Sequence, residues 1–246
     1  MAPAARYDTI GHGYAARRRP DPRIAAQIWS AVGEAERILN VGAGTGSYES
    51  GGRRIVAVEP SAVMIGQRPA GTGPAVQAVA EHLPFADGTF DVALALMTVH
   101  HWPDLARGLA ELRRVARRQV VFTFDPAVHD TIWILREYVP AALGLADTAA
   151  LDQVVDLLGA RRVEVVPVPA DCTDGFLLAY WRRPEQFLLP EVRAATSAFA
   201  RLPQSDVEPG LARLARDLAD GSWRARHADL LDRVSLDAGL RLVIAG

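Results

Sequence analysis

The sequence predicts an α/β protein built on a doubly wound, mostly parallel sheet, and three observations carry that expectation. From residue 37 to residue 126, short β-branched runs alternate with helical segments, as parallel strands joined by crossover helices require. Several of the runs are apolar without alternation, the pattern of strands covered on both faces. The first of them, Ile38-Leu39-Asn40-Val41, runs straight into the glycine-rich turn Gly42-Ala43-Gly44-Thr45-Gly46.

The elements follow in order. Strands are expected over 37–41, 54–59, 75–78, 91–97 and 119–124. Residues 104–117 repeat apolar side chains at Leu105, Leu109, Leu112 and Val115, a helical stripe with arginines gathered toward its end. A helix over 148–158, a strand over 161–168 and a last strand over 240–245 bring the sheet to seven strands. Between the last two strands lies a mostly helical insertion. Pro184, Pro190, Pro203 and Pro209 punctuate it, and Leu211, Leu214 and Leu218, then Leu230, Leu231 and Val234, mark its helical stripes. The expected division is a core of residues 1–169 with 236–246, and a helical cap of residues 170–235 over the sheet edge. Right-handed crossovers place the strand C-termini along one edge, where open α/β sheets bind ligands.

Composition narrows the classes of function. A chain of 246 residues suits one core with a modest insertion. Hydrophobic residues at 50% and aromatics at 7% are those of an ordinary globular protein. The apolar uncharged stretch at residues 92–99 is far below the roughly 20 residues of a membrane-spanning helix, so no membrane partner is expected. Residues 1–20 carry arginines and prolines but no apolar central segment, so no secretory leader is expected. The single cysteine, Cys172, excludes an intrachain disulfide and a multi-thiolate metal site, and a cytoplasmic location is the default. A net charge of −2, from 27 basic and 29 acidic residues spread along the chain, supplies no strong field for phosphate backbones, and no nucleic-acid partner is expected.

The turn at 42–46 is where the chemistry begins. Glycines at alternate positions let the backbone turn tightly and remove Cβ atoms, so a nucleotide-like ligand can lie on the main chain. The dinucleotide-binding spacing Gly-x-Gly-x-x-Gly fails here, because Ser47 occupies its last position and the third glycine comes one residue early. A nicotinamide-dependent oxidoreductase is disfavoured on that ground. The second strand ends in Val58-Glu59-Pro60-Ser61, which puts an acid beside the glycine turn, where a carboxylate can accept both hydroxyls of a ribose.

With these residues in place, the chain resembles the class I S-adenosylmethionine (SAM) dependent methyltransferases, specifically their ubiquinone-biosynthesis-like small-molecule branch (methyltransferase type 11). The resemblance spans about residues 7–125. It rests on Leu39 to Gly46, on Val58-Glu59-Pro60-Ser61 with Met64, on Ala80-Glu81-His82-Leu83-Pro84-Phe85, and on Phe90-Asp91-Val92 through His100-His101-Trp102. It implies a Rossmann-like fold, SAM as methyl donor with S-adenosylhomocysteine as product, and a small-molecule acceptor. It further implies that Asn40, Gly42, Ala43, Gly44 and Gly46 wrap the methionine and ribose portion. Glu59, with Pro60 after it, would bind the ribose; Met64, Ala80 and Glu81 would border adenine; Met97 and Thr98 would line the sulfonium region. Tyr7 and Tyr14 match an aromatic pair that many relatives place over the cofactor, where a ring face also favours a sulfonium.

Two positions depart from the family pattern. Asn40 stands where relatives commonly have an acid, so a bond to the SAM ammonium is expected to be weaker or reversed in polarity. Val79 stands where many have an aspartate, which shifts adenine recognition to Glu81 or to backbone atoms.

Methyl transfer needs a general base only if the acceptor must lose a proton, and a histidine titrating near neutral pH suits that role. His100 and His101 directly follow the fourth strand, and adjacent side chains point apart, so at most one is expected to face the acceptor. His12, between Tyr7 and Tyr14, is a further catalytic candidate if the N-terminal segment folds as a lid. Asp125, Asp171 and Asp174 are acids near the same edge, each more often a cap or turn residue than a base. Trp102, Trp133, Tyr180 and Trp181 suit either an acceptor pocket or ordinary packing. His100, His101 and His129 have no recognised metal-ligand spacing, and no metal site is expected. Two other readings keep the same fold: an RNA or protein methyltransferase, and a non-enzymatic or regulatory SAM-binding protein.

Overall fold

The computed structural model describes residues 19–49, 53–143, 151–194, 196, 199 and 202–246. Its strands in chain order are β1 (Ile38–Val41), β2 (Ile55–Val58), β3 (Ala75–Val76), β4 (Phe90–Leu96), β5 (Ala116–Phe124), β6 (Arg162–Val165), β7 (Val168–Pro169), β8 (Ser235–Leu236) and β9 (Leu240–Ala245). Seven of them form one sheet in the order β3-β2-β1-β4-β5-β9-β6, while β7 and β8 make a separate two-stranded ladder. The first five of the sheet run parallel and β9 runs antiparallel to both its neighbours, so the expected Rossmann-like, mostly parallel α/β sheet is the observed one.

Several boundaries differ from expectation by a few residues, and two of the differences have a plain cause. The strand expected over 161–168 ends at Val165, because Pro167 has no N–H for the ladder with β9, and Val168 turns away to pair with Leu236. The helix expected over 104–117 ends at Val115; Ala116 adopts extended geometry and pairs with Phe90, which adds Ala116, Arg117 and Arg118 to β5.

The helices around the sheet are α1 (Pro22–Val32), α2 (Ala62–Gly66), α3 (Leu105–Val115), α4 (Pro126–His129) and α5 (Leu151–Leu158). Four start on a side chain that accepts a first-turn N–H: Asp21, Ser61, Asp104 and Asp125. Alternation along the strands sorts the core into two layers. Leu39, Val41, Ala93, Ala95, Val121 and Val243 meet Leu109 and Leu112 of α3 and Val154 and Leu158 of α5. Ile38, Val92, Leu94, Val120, Phe122 and Leu242 meet Ile24 and Ile28 of α1 on the opposite face. Each fully buried Leu or Ile contributes about 1.5–3 kcal/mol, which is why both faces of the sheet are covered.

The second layer continues into the stretch between β6 and β9, with helices α6 (Pro190–Ala194), α7 (Gln204–Ala219), α8 (Ser222–Arg226) and α9 (Ala228–Leu231). Because β9 is antiparallel to β5, this stretch leaves and rejoins the sheet at the edge where the parallel strands end. It packs against a second piece of chain, the turn of π-helix Ile134–Tyr138 that follows α4. Trp133 is the shared centre. Its ring meets Tyr138, Phe187 and Trp223 edge to face at centroid distances of 5.8, 5.6 and 5.1 Å, and its Nε1 donates to the Trp181 carbonyl at 2.8 Å.

Pro209 does not punctuate, as expected, but lies inside α7. The next residue, Gly210, lets α7 approach the backbone of Tyr138 so closely that a Cβ there would fall 1.7 Å from that carbonyl oxygen. Val234 belongs to no buried stripe: it is 81% exposed, beyond the end of α9, and contributes its carbonyl to the Ala170 N–H. Among the described residues, no helix is long and apolar enough to cross a membrane.

Candidate active site

At the tip of β1 the chain turns so that the Gly42 and Ala43 N–H groups both donate to the Val58 carbonyl, at 2.8 and 3.0 Å. Gly42 has φ +69°, and a Cβ there would lie 2.0 Å from the Thr98 Oγ1, so only glycine brings the turn against the end of β4. This close packing puts the Gly44 N–H within 2.8 Å of Glu59 Oε2. The Ser61 N–H donates to the other oxygen, Oε1, at 3.0 Å. Glu59 is only 5% exposed and held from both sides, so its carboxyl group is oriented at the β2 tip, against the glycine turn.

The facing wall comes from β4. Met97 has φ +55° and is the sole non-glycine with positive φ among the described residues, a conformation that costs on the order of 1–2 kcal/mol and concentrates at functional sites. Its N–H is anchored on the Phe122 carbonyl at 2.7 Å. The turn throws the chain into a short 3-10 helix, Val99–His101, which carries the two histidines over the sheet edge. Their rings are 3.9 Å apart, but they divide the space as adjacent side chains must: His101 lines the cleft, while His100 packs toward Phe124 at 5.1 Å. Trp102 closes this side, its Nε1 donating to Thr98 Oγ1 at 3.3 Å.

One cleft thus gathers Asn40, Gly42, Ala43, Gly44, Glu59, Pro60, Met64, Ala80, Glu81, Met97, Thr98 and His101. Gly46 and His100 lie outside its lining. Gly46 turns instead over the Glu49 and Arg68 side chains, where a Cβ would meet Arg68 Nη1 at 3.0 Å. Tyr7, His12 and Tyr14 lie outside the described residues. Val79, 42% exposed, lines the cleft, and Glu81 also accepts the Asp104 N–H at 3.3 Å.

Asn40 finds its own protein partner at the tip of β1. Asn40 Nδ2 donates to Glu49 Oε1 at 3.0 Å, and Glu49 is ion-paired with Arg68 at 2.6 Å, both side chains being 4% exposed. The amide therefore spends its donor side on Glu49. No sequence motif pointed to Glu49 or Arg68; the only local signal was an amide at the tip of β1 with an acid nine residues on.

The other acids serve structure. Asp125 caps α4 and lies 3.5 Å from Arg241, Asp171 pairs with Arg23 on the surface, and buried Asp174 accepts the Tyr48 hydroxyl at 2.7 Å. That last bond ties the glycine turn to the stretch after β7. Trp133 and Trp181 are fully packed in the core rather than lining an acceptor pocket. Cys172 is buried, and burial pushes its thiol up to about 12, so it supplies no thiolate near neutral pH.

Comparison with known proteins converges on one family. Residues 39–124 match the family model described as a methyltransferase domain. A crystal structure of a putative methyltransferase from an antibiotic biosynthesis pathway of Anabaena variabilis superposes with a TM-score of 0.86 at 31% identity, covering 94% of this chain and 99% of that one. The malonyl-[acyl-carrier protein] O-methyltransferase of Geobacter sulfurreducens is 34% identical over 134 residues, 49% of this chain and 48% of that protein. The chloroplastic 2-methyl-6-phytyl-1,4-hydroquinone methyltransferase 2 of Oryza sativa subsp. japonica is 34% identical over 112 residues, 41% of this chain and 32% of its own length. The chain therefore spans half or less of these two curated relatives. It belongs to the class I SAM-dependent methyltransferases, a family whose methyl donor is SAM.

Proposed function

We propose that this protein transfers a methyl group from SAM to a small-molecule acceptor, on oxygen, nitrogen or carbon. The observation that carries the proposal is the oriented Glu59 carboxylate beside the glycine turn, facing a strained Met97 and a cleft-lining His101. These residues suit the donor. Glu59 offers acceptors for ribose hydroxyls, Gly42 to Gly44 offer bare backbone, Met64 with Ala80 offers an apolar surface for adenine, and Asn40 Oδ1 offers a buried acceptor without a protein partner.

When bound, SAM supplies an already activated methyl group, so the protein's contribution is orientation, exclusion of water and, for an acidic acceptor, removal of a proton. His101 is assigned the proton transfer because it faces the cleft beside Met97 and Thr98; His100, wedged between it and Phe124, is assigned to hold that wall. A small acceptor is supported by the net charge of −2 and by the substrates in the names of the two curated relatives, an acyl-carrier-bound malonyl group and a phytyl hydroquinone. Residues 170–235 are proposed as the part that shapes the acceptor side, because this stretch both leaves and rejoins the sheet at the cleft edge. A cytoplasmic enzyme acting on a small-molecule acceptor fits these features.

Calorimetry with SAM and S-adenosylhomocysteine tests the donor: micromolar binding is expected, and binding of neither would overturn the assignment. Transfer of labelled methyl from SAM into metabolites of a cell extract tests the acceptor. Label in RNA or protein instead would reassign it, and SAM binding with no transfer at all would favour a regulatory role.

A further inference from the structure

The edge of the sheet opposite the cleft, where the parallel strands begin, carries a second concave surface. A groove of about 750 Å³ is lined there by Arg113 of α3, Arg117 and Arg118 of β5, Arg161 and Arg162 at the start of β6, and the small residues Ala245 and Gly246 that end β9. No aspartate or glutamate side chain lines it. In a chain with 27 basic and 29 acidic residues, five guanidinium groups around one groove reverse the overall charge locally. We propose that this groove binds the polyphosphate group of a small ligand, apart from the site of methyl transfer.

Strand register builds the groove. β9 lies between β5 and β6, with Ala245 paired to Gln119 and Ile244 to Arg162, so one step further along the register Arg161 stands opposite Ala245. The two strands flanking β9 are about 10 Å apart, twice the interstrand spacing, a gap that two or three linked phosphates fill when long side chains lean in. Ala245 and Gly246 leave the floor of that gap bare. A Cβ at Gly246 would fall 2.4 Å from the Arg117 carbonyl oxygen.

The partners already taken show which cations remain. Arg113 Nη1 donates to the Leu157 carbonyl at 3.2 Å, Arg118 Nη2 donates to the Val32 carbonyl, and Arg162 pairs with Glu164. Arg118 Nε is buried with no hydrogen-bond partner, a charged donor left unmade. Arg117 and Arg161 are exposed, and their side chains make no hydrogen bond or ion pair among the described residues. Arg114, from the same run of sequence, is instead spent on Glu111, Asp87 and two carbonyls. Phosphate suits the remaining groups, because its oxygens accept the paired N–H groups of a guanidinium fork. The volume is that of small-ligand pockets, roughly 300–1,000 Å³, whereas a nucleic-acid backbone calls for an extended basic stripe.

This inference is independent of SAM binding, and the experiment keeps the two apart. Calorimetry with tripolyphosphate and with ATP, in magnesium-free buffer containing excess S-adenosylhomocysteine to fill the cleft, is run on the full chain. Tripolyphosphate is expected to bind, and the Arg117→Ser/Arg161→Ser double variant to lose at least tenfold in affinity. Arg216→Ser/Arg224→Ser, which removes the same charge from exposed positions elsewhere, is expected to change it less than twofold. Matching urea midpoints check that both variants keep the fold. Equal affinities for ATP and tripolyphosphate would identify the polyphosphate alone as the recognised group; tighter ATP binding, lost in the first variant, would identify a nucleotide. No binding of either by the wild type up to about 1 mM would overturn the inference. So would equal losses in the two double variants, ATP binding that persists without Arg117 and Arg161, or single-stranded RNA bound at those arginines in place of tripolyphosphate.

Discussion

Glu59 shows how a single side chain inherits its role from backbone geometry. Its two oxygens are oriented by the Gly44 and Ser61 N–H groups, so Glu59→Gln both removes the charge and turns an amide donor against one of those N–H groups. A loss of about 1.5–3 kcal/mol is expected, or roughly 10- to 100-fold in S-adenosylhomocysteine affinity by calorimetry. His101→Ala is expected to lower methyl transfer to a proton-losing acceptor by about 100-fold with cofactor affinity unchanged, and His100→Ala to do less. Asp21 contributes away from the cleft. Burial alone would raise its carboxyl, but bonds from Arg23 and from the Thr173 N–H, with the charge of Arg23, hold it far below the usual carboxylate range. A group whose folded value is depressed stabilises the fold above its unfolded value and loses that contribution as pH falls toward the folded one. Urea midpoints of the wild type should therefore fall steeply below about pH 4, and Asp21→Asn should be weaker at neutral pH with a flatter acid limb.

At the scale of elements, the π-helical turn after α4 and the helices after β7 act as one packed unit through Trp133. Its ring has edge contacts to Tyr138, Phe187 and Trp223, and the side chain is 5% exposed. Trp133→Ala should cost about 3–5 kcal/mol in urea unfolding, the range for a truncated aromatic in a core that cannot collapse. A cost under about 1 kcal/mol would show that this layer repacks freely. The tie between Tyr48 and Asp174 links the same layer to the glycine turn, so disturbances of the insertion are placed to reach the glycine-turn side of the cleft.

One of the two core layers is continuous from the sheet and α1 into the helices of residues 170–235. Unfolding should then be a single transition, with far-ultraviolet circular dichroism and tryptophan fluorescence superimposing in urea. The fluorescence reports both regions, since Trp181 and Trp223 lie in the insertion while Trp29 and Trp102 lie beside the first strands. Two separated transitions would instead mark residues 170–235 as an independently stable unit.

The sequence by itself determined the sheet and half of the cleft, because the information for both is local. Period and β-branching place β1, β2, β4, β5 and β9 within a few residues, and a glycine turn followed by an acid at the next strand tip is contiguous along two short segments. Proline chemistry was legible only in part: Pro167 ends a ladder with β9, while Pro209 sits inside α7, where it forgoes one helical hydrogen bond. What tertiary structure decided are relations between distant segments. The join of 126–142 to the insertion, the division of labour between His100 and His101, and the polarity of Asn40 all depend on which partner each atom meets. An amide can present either end, and only a carboxylate brought beside it by the turn at 42–49, paired with an arginine 28 positions away in sequence, settles which end has a protein partner.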